Sequence, residues 1–384
     1  MSPTGDSGAI DRRTFLIGGT LGAAGMVAGL SPAHAGEAPV EEGVVYRTLG
    51  RTGLKVSVVS MGAFLTTEPA VMQAAFDRGV NYIDTAREYM NGNNEGYVAT
   101  ALKGYRDRVY VATKLKLGPK EDMLRSVDDS LARLQVDYVD VMQLHRAASR
   151  DDALNEDVKD VLTQAKKNGK ARFIGVTTHK NEIQVLDAVL EDPDKVYDTV
   201  LVTYNFKSSQ ETADAIACVA KAGVGVIAMK TQAGGYETEE MGEASPHQAA
   251  LKWVLRDRNV AAAVPSMVDL AQVKEDTAVM GMLEMTREEA RVLERYGDAI
   301  APFYCRLCGG CEGSCPNGVD VHQVNRSLMY ADGYRDMALA RATYAELPVS
   351  RSASACDHCR ECVARCVHGL DIAAKMRRAR VLLC

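Results

Sequence analysis

The stretch NYIDTAREY, Asn81 to Tyr89, carries a short apolar run that closes on Asp84, with Tyr89 five residues further on. Read as a buried strand, 81–84 places Asp84 at a C-terminal strand end and Tyr89 in the loop beyond. In a barrel of parallel strands the chemistry gathers at that end, because the βα loops meet there. Alone, a loop tyrosine is usually a packing residue whose hydroxyl finds a hydrogen bond. Two later apolar runs, however, end in the partners an acidic tyrosine needs. VYVATK closes on Lys114 and VDVMQLH on His145.

Outward from this stretch, apolar strands and amphipathic helices alternate. Strands are predicted to start near Val56, Asn81, Val109, Tyr138, Ala171, Thr199, Gly225 and Val260, each followed by a helical pattern, the last over about 270–280. Short buried runs separated by helices indicate parallel βαβ units, and eight of them fit a closed (β/α)8 TIM barrel. Tyr46 to Lys55, with Gly50 and Gly53 as turn residues, reads as a hairpin across the barrel floor. No Gly-x-Gly-x-x-Gly follows a strand, which excludes an ordinary dinucleotide-binding open sheet.

Asp84, Tyr89, Lys114 and His145 match, in order and at strand ends, the catalytic tetrad of the aldo-keto reductase family, and the chain resembles that family from about Tyr46 to Tyr296. The resemblance implies a reductase of small carbonyls, or an oxidant of alcohols, using NAD(P). A phenol with a pKa near 10 is a poor acid at neutral pH, so Lys114 is expected to draw Tyr89 down, with Asp84 holding Lys114 charged and placed. His145 is expected to donate to the substrate carbonyl as it gains charge. The nucleotide positions are less faithful. Thr177 and Thr178 stand where the family holds the nicotinamide amide, Leu201 replaces a glutamine, and Met229 replaces the stacking aromatic. Ser266 and Gln272 replace the cations that grip the 2′-phosphate, leaving Lys230 and Lys274 as substitutes. Losing two charge-assisted contacts weakens any preference for NADP.

The flanks of the barrel differ in kind. Residues 1–35 resemble a twin-arginine signal peptide: Arg12-Arg13, a Gly-rich apolar run to Leu30, then Ala33-His34-Ala35. The run is too short and weakly apolar for a span, so the reading is an exported, periplasmic protein with no membrane span after signal removal. Composition is ordinary for a globular chain, 47% hydrophobic and 25% charged. A net charge of −6 with 6% aromatic residues argues against nucleic-acid binding.

After the barrel (44–297), residues 298–384 change character. A capping box at Thr286 and Glu289 opens one more helix to about Arg295. Eight of the ten cysteines then fall in two runs, Cys305, Cys308, Cys311, Cys315 and Cys356, Cys359, Cys362, Cys366. Both have the spacing C-x2-C-x2-C-x3-C, the [4Fe–4S] pattern of bacterial two-cluster ferredoxins. That pattern pairs Cys305, Cys308 and Cys311 with Cys366, and Cys356, Cys359 and Cys362 with Cys315, in a small, mainly helical domain. Paired zinc sites favour two separated C-x2-C pairs, and disulfides are the other alternative in an oxidising compartment. Between the runs 321–347 reads as helical and 348–355 as a Ser-rich loop, while Cys218 reads as a buried helix residue. The last barrel helix runs to the floor and the extra helix climbs back, so the cluster domain is expected at the barrel mouth in place of a lid.

Two functions of different class follow. One is an exported oxidoreductase working on a small carbonyl or alcohol at the tetrad. The other is an electron-transfer or partner-binding protein, with a redox partner, that keeps the barrel as scaffold. The intact tetrad favours the enzyme; the altered nucleotide site favours the second.

Overall fold

The computed structural model describes residues 43–235, 244–358 and 361–384; the expected signal peptide and Cys359 lie outside the described residues. A floor hairpin pairs β1 (Tyr46–Thr48) with β2 (Lys55–Ser57), Tyr46 opposite Ser57. Eight parallel strands follow in chain order: β3 (Met61–Gly62), β4 (Tyr82–Asp84), β5 (Tyr110–Lys116), β6 (Val139–His145), β7 (Ala171–Thr178), β8 (Thr199–Thr203), β9 (Gly225–Met229) and β10 (Ala262–Ala263). A parallel bridge from Val59 to Ala263 joins first strand to last, closing the (β/α)8 barrel.

One strand start moves. Val56 belongs to the hairpin, and the first barrel strand begins at Met61. Both runs are apolar because both are buried: Val56 points into the barrel interior with Leu49, Leu54, Tyr82, Val141 and Ile227. Leu49 plugs the floor closely enough that a Cβ on Gly225 would lie 2.7 Å from its side chain, so only glycine fits at the start of β9. Arg47 of the hairpin donates to the carbonyls of Leu255 (2.5 Å), Asp257 (3.0 Å) and Val260 (2.6 Å). These include orphan acceptors at the end of a helix, where positive charge is favourable.

The barrel helices are α1 (Pro69–Phe76), α2 (Asn94–Ala101), α3 (Lys120–Leu134), the short α4 (Arg150–Ala153), α5 (Glu156–Lys167), α6 (Glu182–Glu191), α7 (Gln210–Lys221), α8 (Pro246–Leu255) and α9 (Leu270–Thr277). In α3, Met123, Val127, Leu131 and Leu134 form the buried stripe, while Glu121 and Asp122 occupy the first turn, where the helix dipole favours them. Cys218 falls on the outer side of α7 and is exposed, against expectation, because Ile216 and Val219 take the inward positions.

The Thr286–Glu289 capping box forms, and α10 (Arg287–Ile300) runs past Arg295 because Tyr296 and Ile300 extend its apolar stripe into a second core. That core contains α11 (Val321–Gly333), α12 (Met337–Ala345) and α13 (Ile372–Leu382). The helix expected over 321–347 is thus two, broken at Tyr334 and Arg335, where Arg335 takes a left-handed φ of 53°. The Ser-rich loop folds into 3-10 turns. Among the described residues no helix is long and apolar enough to cross a membrane.

Candidate active site and cysteine sets

Strand register brings three of the four tetrad residues together. In β4, β5 and β6, Asp84 pairs with Ala112 and Lys114 with Gln143, so the ends of neighbouring strands share one interior face. Lys114 is almost fully buried; its Nζ bonds the Asp84 carboxylate and donates to the Thr85 carbonyl (2.6 Å) and the Tyr89 hydroxyl (3.1 Å). Gln143, which the sequence did not single out, donates to the other Asp84 oxygen at 2.8 Å. Tyr89 opens a 3-10 turn whose next residues, Met90 and Asn91, are left-handed at φ 51° and 54°. Such strain in non-glycine residues concentrates at functional sites. The Tyr89 ring stands edge-on to Phe64 (4.8 Å) and His145 (5.6 Å).

Burial dominates the charge states of two of these groups. Burial raises the Tyr89 pKa, and although Lys114 pulls it down, the net shift is upward. Tyr89 is therefore a neutral phenol at neutral pH: a proton donor, not a phenolate. Burial also holds His145 neutral, its pKa lowered to about 3. Its Nδ1 lies 3.1 Å from Glu88 Oε2, and that hydrogen bond is the main reason the Glu88 carboxyl drops to about 2. An ionised carboxylate only accepts, so the single proton of neutral His145 sits on Nδ1. Its Nε2, buried and without a partner, then faces the cavity as an acceptor. With its proton on Nδ1, His145 would accept at Nε2 where donation to a carbonyl was expected; Glu88, which sets that choice, carried no motif.

These groups open on a cavity of about 540 Å³ that extends from Asp84, Tyr89 and His145 past Leu201 and Met229 to Ser266, Gln272, Glu275 and Asp276. Its roof is α11, through Arg326 and Tyr330, with Tyr334 just past its end, so the C-terminal helices do close the barrel mouth. Gly235 of the loop after β9 donates to the Gly333 carbonyl at 2.7 Å, tying wall to roof. Thr177 and Thr178 are not on this wall. Thr177 Oγ1 accepts from the Arg146 amide (2.9 Å), and Thr178 Oγ1 donates to the Lys180 carbonyl (2.7 Å), so both side chains at the end of β7 engage the adjoining loops. Lys230 is on the wall. Arg146 and His179, each one residue beyond a strand end, line it too, and the strand-end rule would have found them. Arg326 and Tyr330, some 240 residues beyond the opening stretch, gave no such signal.

The donor set tests the cofactors. Met229 and Leu201 offer an apolar wall for a nicotinamide ring, but the far end holds Ser266, Gln272 and two acids where a 2′-phosphate would need cations. Burial drives Asp276 up to about 8, with Glu275 adding to the rise, while Gln232 donates to it at 2.8 Å. In the C-terminal domain, the charge on Cys305 is felt by Cys308, Cys311 and Cys366, and that on Cys311 by Cys308 and Cys366. Cys305, Cys308, Cys311 and Cys366 thus lie within electrostatic reach of one another. Burial pushes Cys305 to about 12 and Cys311 to about 11, so only a metal would hold them as thiolates. Cys315, Cys356 and Cys362 pack against the same core, and no disulfide occurs among the described residues. Asn205, at the end of β8, donates to Tyr304 next to Cys305 (2.8 Å) and to the Lys230 carbonyl (2.9 Å), joining the first set to the cavity wall.

Residues 66–243 match the model of the aldo/keto reductase family, and residues 304–370 that of the 4Fe-4S dicluster domain. L-galactose dehydrogenase of Arabidopsis thaliana is 30% identical over 304 residues, 67% of this chain and 94% of that protein. 6-dehydroglucose reductase of Novosphingobium aromaticivorans is 34% identical over 172 residues, 38% of this chain and 55% of that protein. An aldo-keto reductase from Klebsiella pneumoniae, solved in complex with NADPH, superposes on 66% of this chain and 95% of its own with 27% identity and a TM-score of 0.56. The chain belongs to the aldo/keto reductase family. It is an oxidoreductase with a C-terminal 4Fe-4S dicluster domain.

Proposed function

We propose that the enzyme interconverts a small carbonyl compound and its alcohol at Tyr89, with Asp84, Lys114 and His145 as its working partners. The observation that carries this reading is Lys114, whose buried ammonium touches the Asp84 carboxylate and the Tyr89 hydroxyl at once. In reduction Tyr89 gives its proton to the substrate oxygen, and Lys114 steadies the phenolate left behind. His145 Nε2 accepts from a neighbouring substrate hydroxyl, which suits the sugars in the names of the two relatives above. A nicotinamide nucleotide in the cleft, its ring against Met229 and Leu201, would supply or take the hydride. The polar far end suits NAD better than NADP.

Tyr89→Phe tests the reading. Carbonyl reduction should fall about 10²–10⁴-fold, the usual contribution of a positioned acid. Turnover near the wild-type rate would place the chemistry elsewhere and favour the scaffold reading. We also propose export by the twin-arginine route, from Arg12-Arg13 and the short apolar run. Replacing both arginines with lysine should leave the protein in the cytoplasm, and unchanged secretion would refute this.

A further inference from the structure

We propose that the substrate carries a carboxylate or a phosphate, and that Arg326 of the C-terminal domain recognises it together with Arg146 and Lys230 of the barrel. The inference rests on the reductase reading, whose cavity it populates. Besides Arg335, which has interactions of its own, three cations reach that cavity from three places: Arg146 after β6, Lys230 after β9 and Arg326 on α11. All three are half-buried, and none makes an ion pair with a carboxylate among the described residues. What they do touch is each other's surroundings. Arg326 Nε donates to the Tyr330 hydroxyl at 3.1 Å, Lys230 Nζ lies 5.5 Å from the Tyr330 ring and 5.8 Å from that of Tyr334, and Arg146 Nε is buried with no partner.

The most fully buried lysines of this chain are paired. Lys114 meets Asp84, Lys159 meets Asp192 and Asp194, and Lys252 meets Glu289. Burying charge without a partner is expensive. Half-buried Arg47 also lacks a carboxylate but is answered by three backbone carbonyls, whereas three such cations meeting at one cavity indicate a counter-charge that arrives with the ligand. The backbone agrees: Arg146 (φ 60°) and Lys230 (φ 55°) are left-handed, a conformation non-glycine residues rarely adopt. Strain of this kind is retained where it aims a side chain. The acids on the cavity do not cancel the cluster. Asp84 belongs to Lys114, and Glu275 and Asp276 line the stretch beyond Ser266. Near the cations, Glu88 is engaged by His145 and Lys116. Supporting the same picture, Lys230 and Arg326 overcome burial to bring the Tyr330 hydroxyl down to about 8, so this phenol is the internal group that best answers the cations.

The test uses cluster-loaded, nucleotide-free protein and three probes that share one ring: D-glucose, D-glucuronate and D-glucose 6-phosphate, titrated calorimetrically. At least one anionic sugar should bind about tenfold or more tighter than glucose, as a hydrogen bond to a charged group predicts. Whichever anion gains more identifies the source. Arg326→Gln should remove most of that gain. Arg146→Gln, on a barrel loop, gives the same reading should the roof variant fail to fold. Equal binding of all three sugars overturns the proposal. So does an Arg326→Gln protein that keeps the anionic preference but loses NADH affinity, since the cations would then serve the nucleotide's phosphates. Turnover by Tyr89→Phe is scored separately, so an absent anionic preference and a misassigned tetrad give different results.

Discussion

Glu88→Gln isolates one hydrogen bond at the centre of the site. In the wild-type chain the Glu88 carboxylate fixes the proton of neutral His145 on Nδ1, 3.1 Å away, and leaves Nε2 bare. The amide of glutamine can accept from Nδ1–H or donate to Nδ1, so the second tautomer, with Nε2–H facing substrate, becomes available. Bonds to a charged partner are worth about 1.5–3 kcal/mol and neutral ones about 0.5–1.5, a difference of about 1 kcal/mol or slightly more. The Glu88 side chain is 30% exposed, which places the effect at the low end of that range. About 1 kcal/mol corresponds to about a fivefold shift in the tautomer ratio. Nitrogen NMR of histidine-labelled protein at neutral pH, with His145→Gln to assign the signal, reads the two ring nitrogens directly. Wild type should show a protonated Nδ1 and an unprotonated Nε2, and Glu88→Gln a mixture. A wild-type His145 already protonated on Nε2 would refute the reasoning and restore it as a donor to the carbonyl.

Asp276 should make stability depend on pH. Its folded pKa is raised from 3.8 to about 8, so its contribution is fully present below pH 4 and is lost as pH rises through 8. An interval of about 4 units is worth at most about 5 kcal/mol, and Asp276→Asn should match wild type at pH 4 and melt higher at pH 8; equal melting at both would place an ionised, solvated Asp276 there. Fluorescence titration should find NADPH bound no more tightly than NADH, because Ser266, Gln272, Glu275 and Asp276 offer a 2′-phosphate no cation. Strong NADPH selectivity would mean that Lys274 or Lys230 has turned to the task.

Asp84, Lys114 and His145 were legible because each closes an apolar run. Parallel strands buried on both faces read as continuous hydrophobic stretches, so a charged residue at the end of one stands out. The cysteine spacing was legible because ligand geometry imposes it locally. The first strand was not, since β2 and β3 are separated by three buried residues and are equally apolar. Charge states were least legible. Whether Lys114 or burial governs Tyr89, and which nitrogen of His145 holds the proton, depend on how completely side chains distant in sequence exclude water. Thr177 and Thr178 show the opposite case: the positions align, but the Thr178 hydroxyl is spent on the Lys180 carbonyl and Thr177 Oγ1 accepts from Arg146, which sequence does not reveal.

The cysteine sets and the cavity are coupled through α11. Its N-cap, Asp320, lies five residues beyond Cys315, and the helix contributes Arg326 and Tyr330 to the roof, with Tyr334 at its C-cap, while packing on α12 and α13. A domain of this size has a small core of its own, and metal sites in such domains supply folding energy outright. Removing iron by anaerobic chelation should therefore loosen α11 first. Hydrogen exchange over 321–333 should accelerate markedly, while β5 and β6, inside the barrel, stay protected. Binding of anionic ligands should weaken with it, because Arg326 rides on that helix. The clusters would then shape the pocket whether or not they carry electrons. Unchanged protection of α11 after complete iron loss would show that the roof stands on its apolar core alone, and would leave electron transfer as the reason for the cysteines.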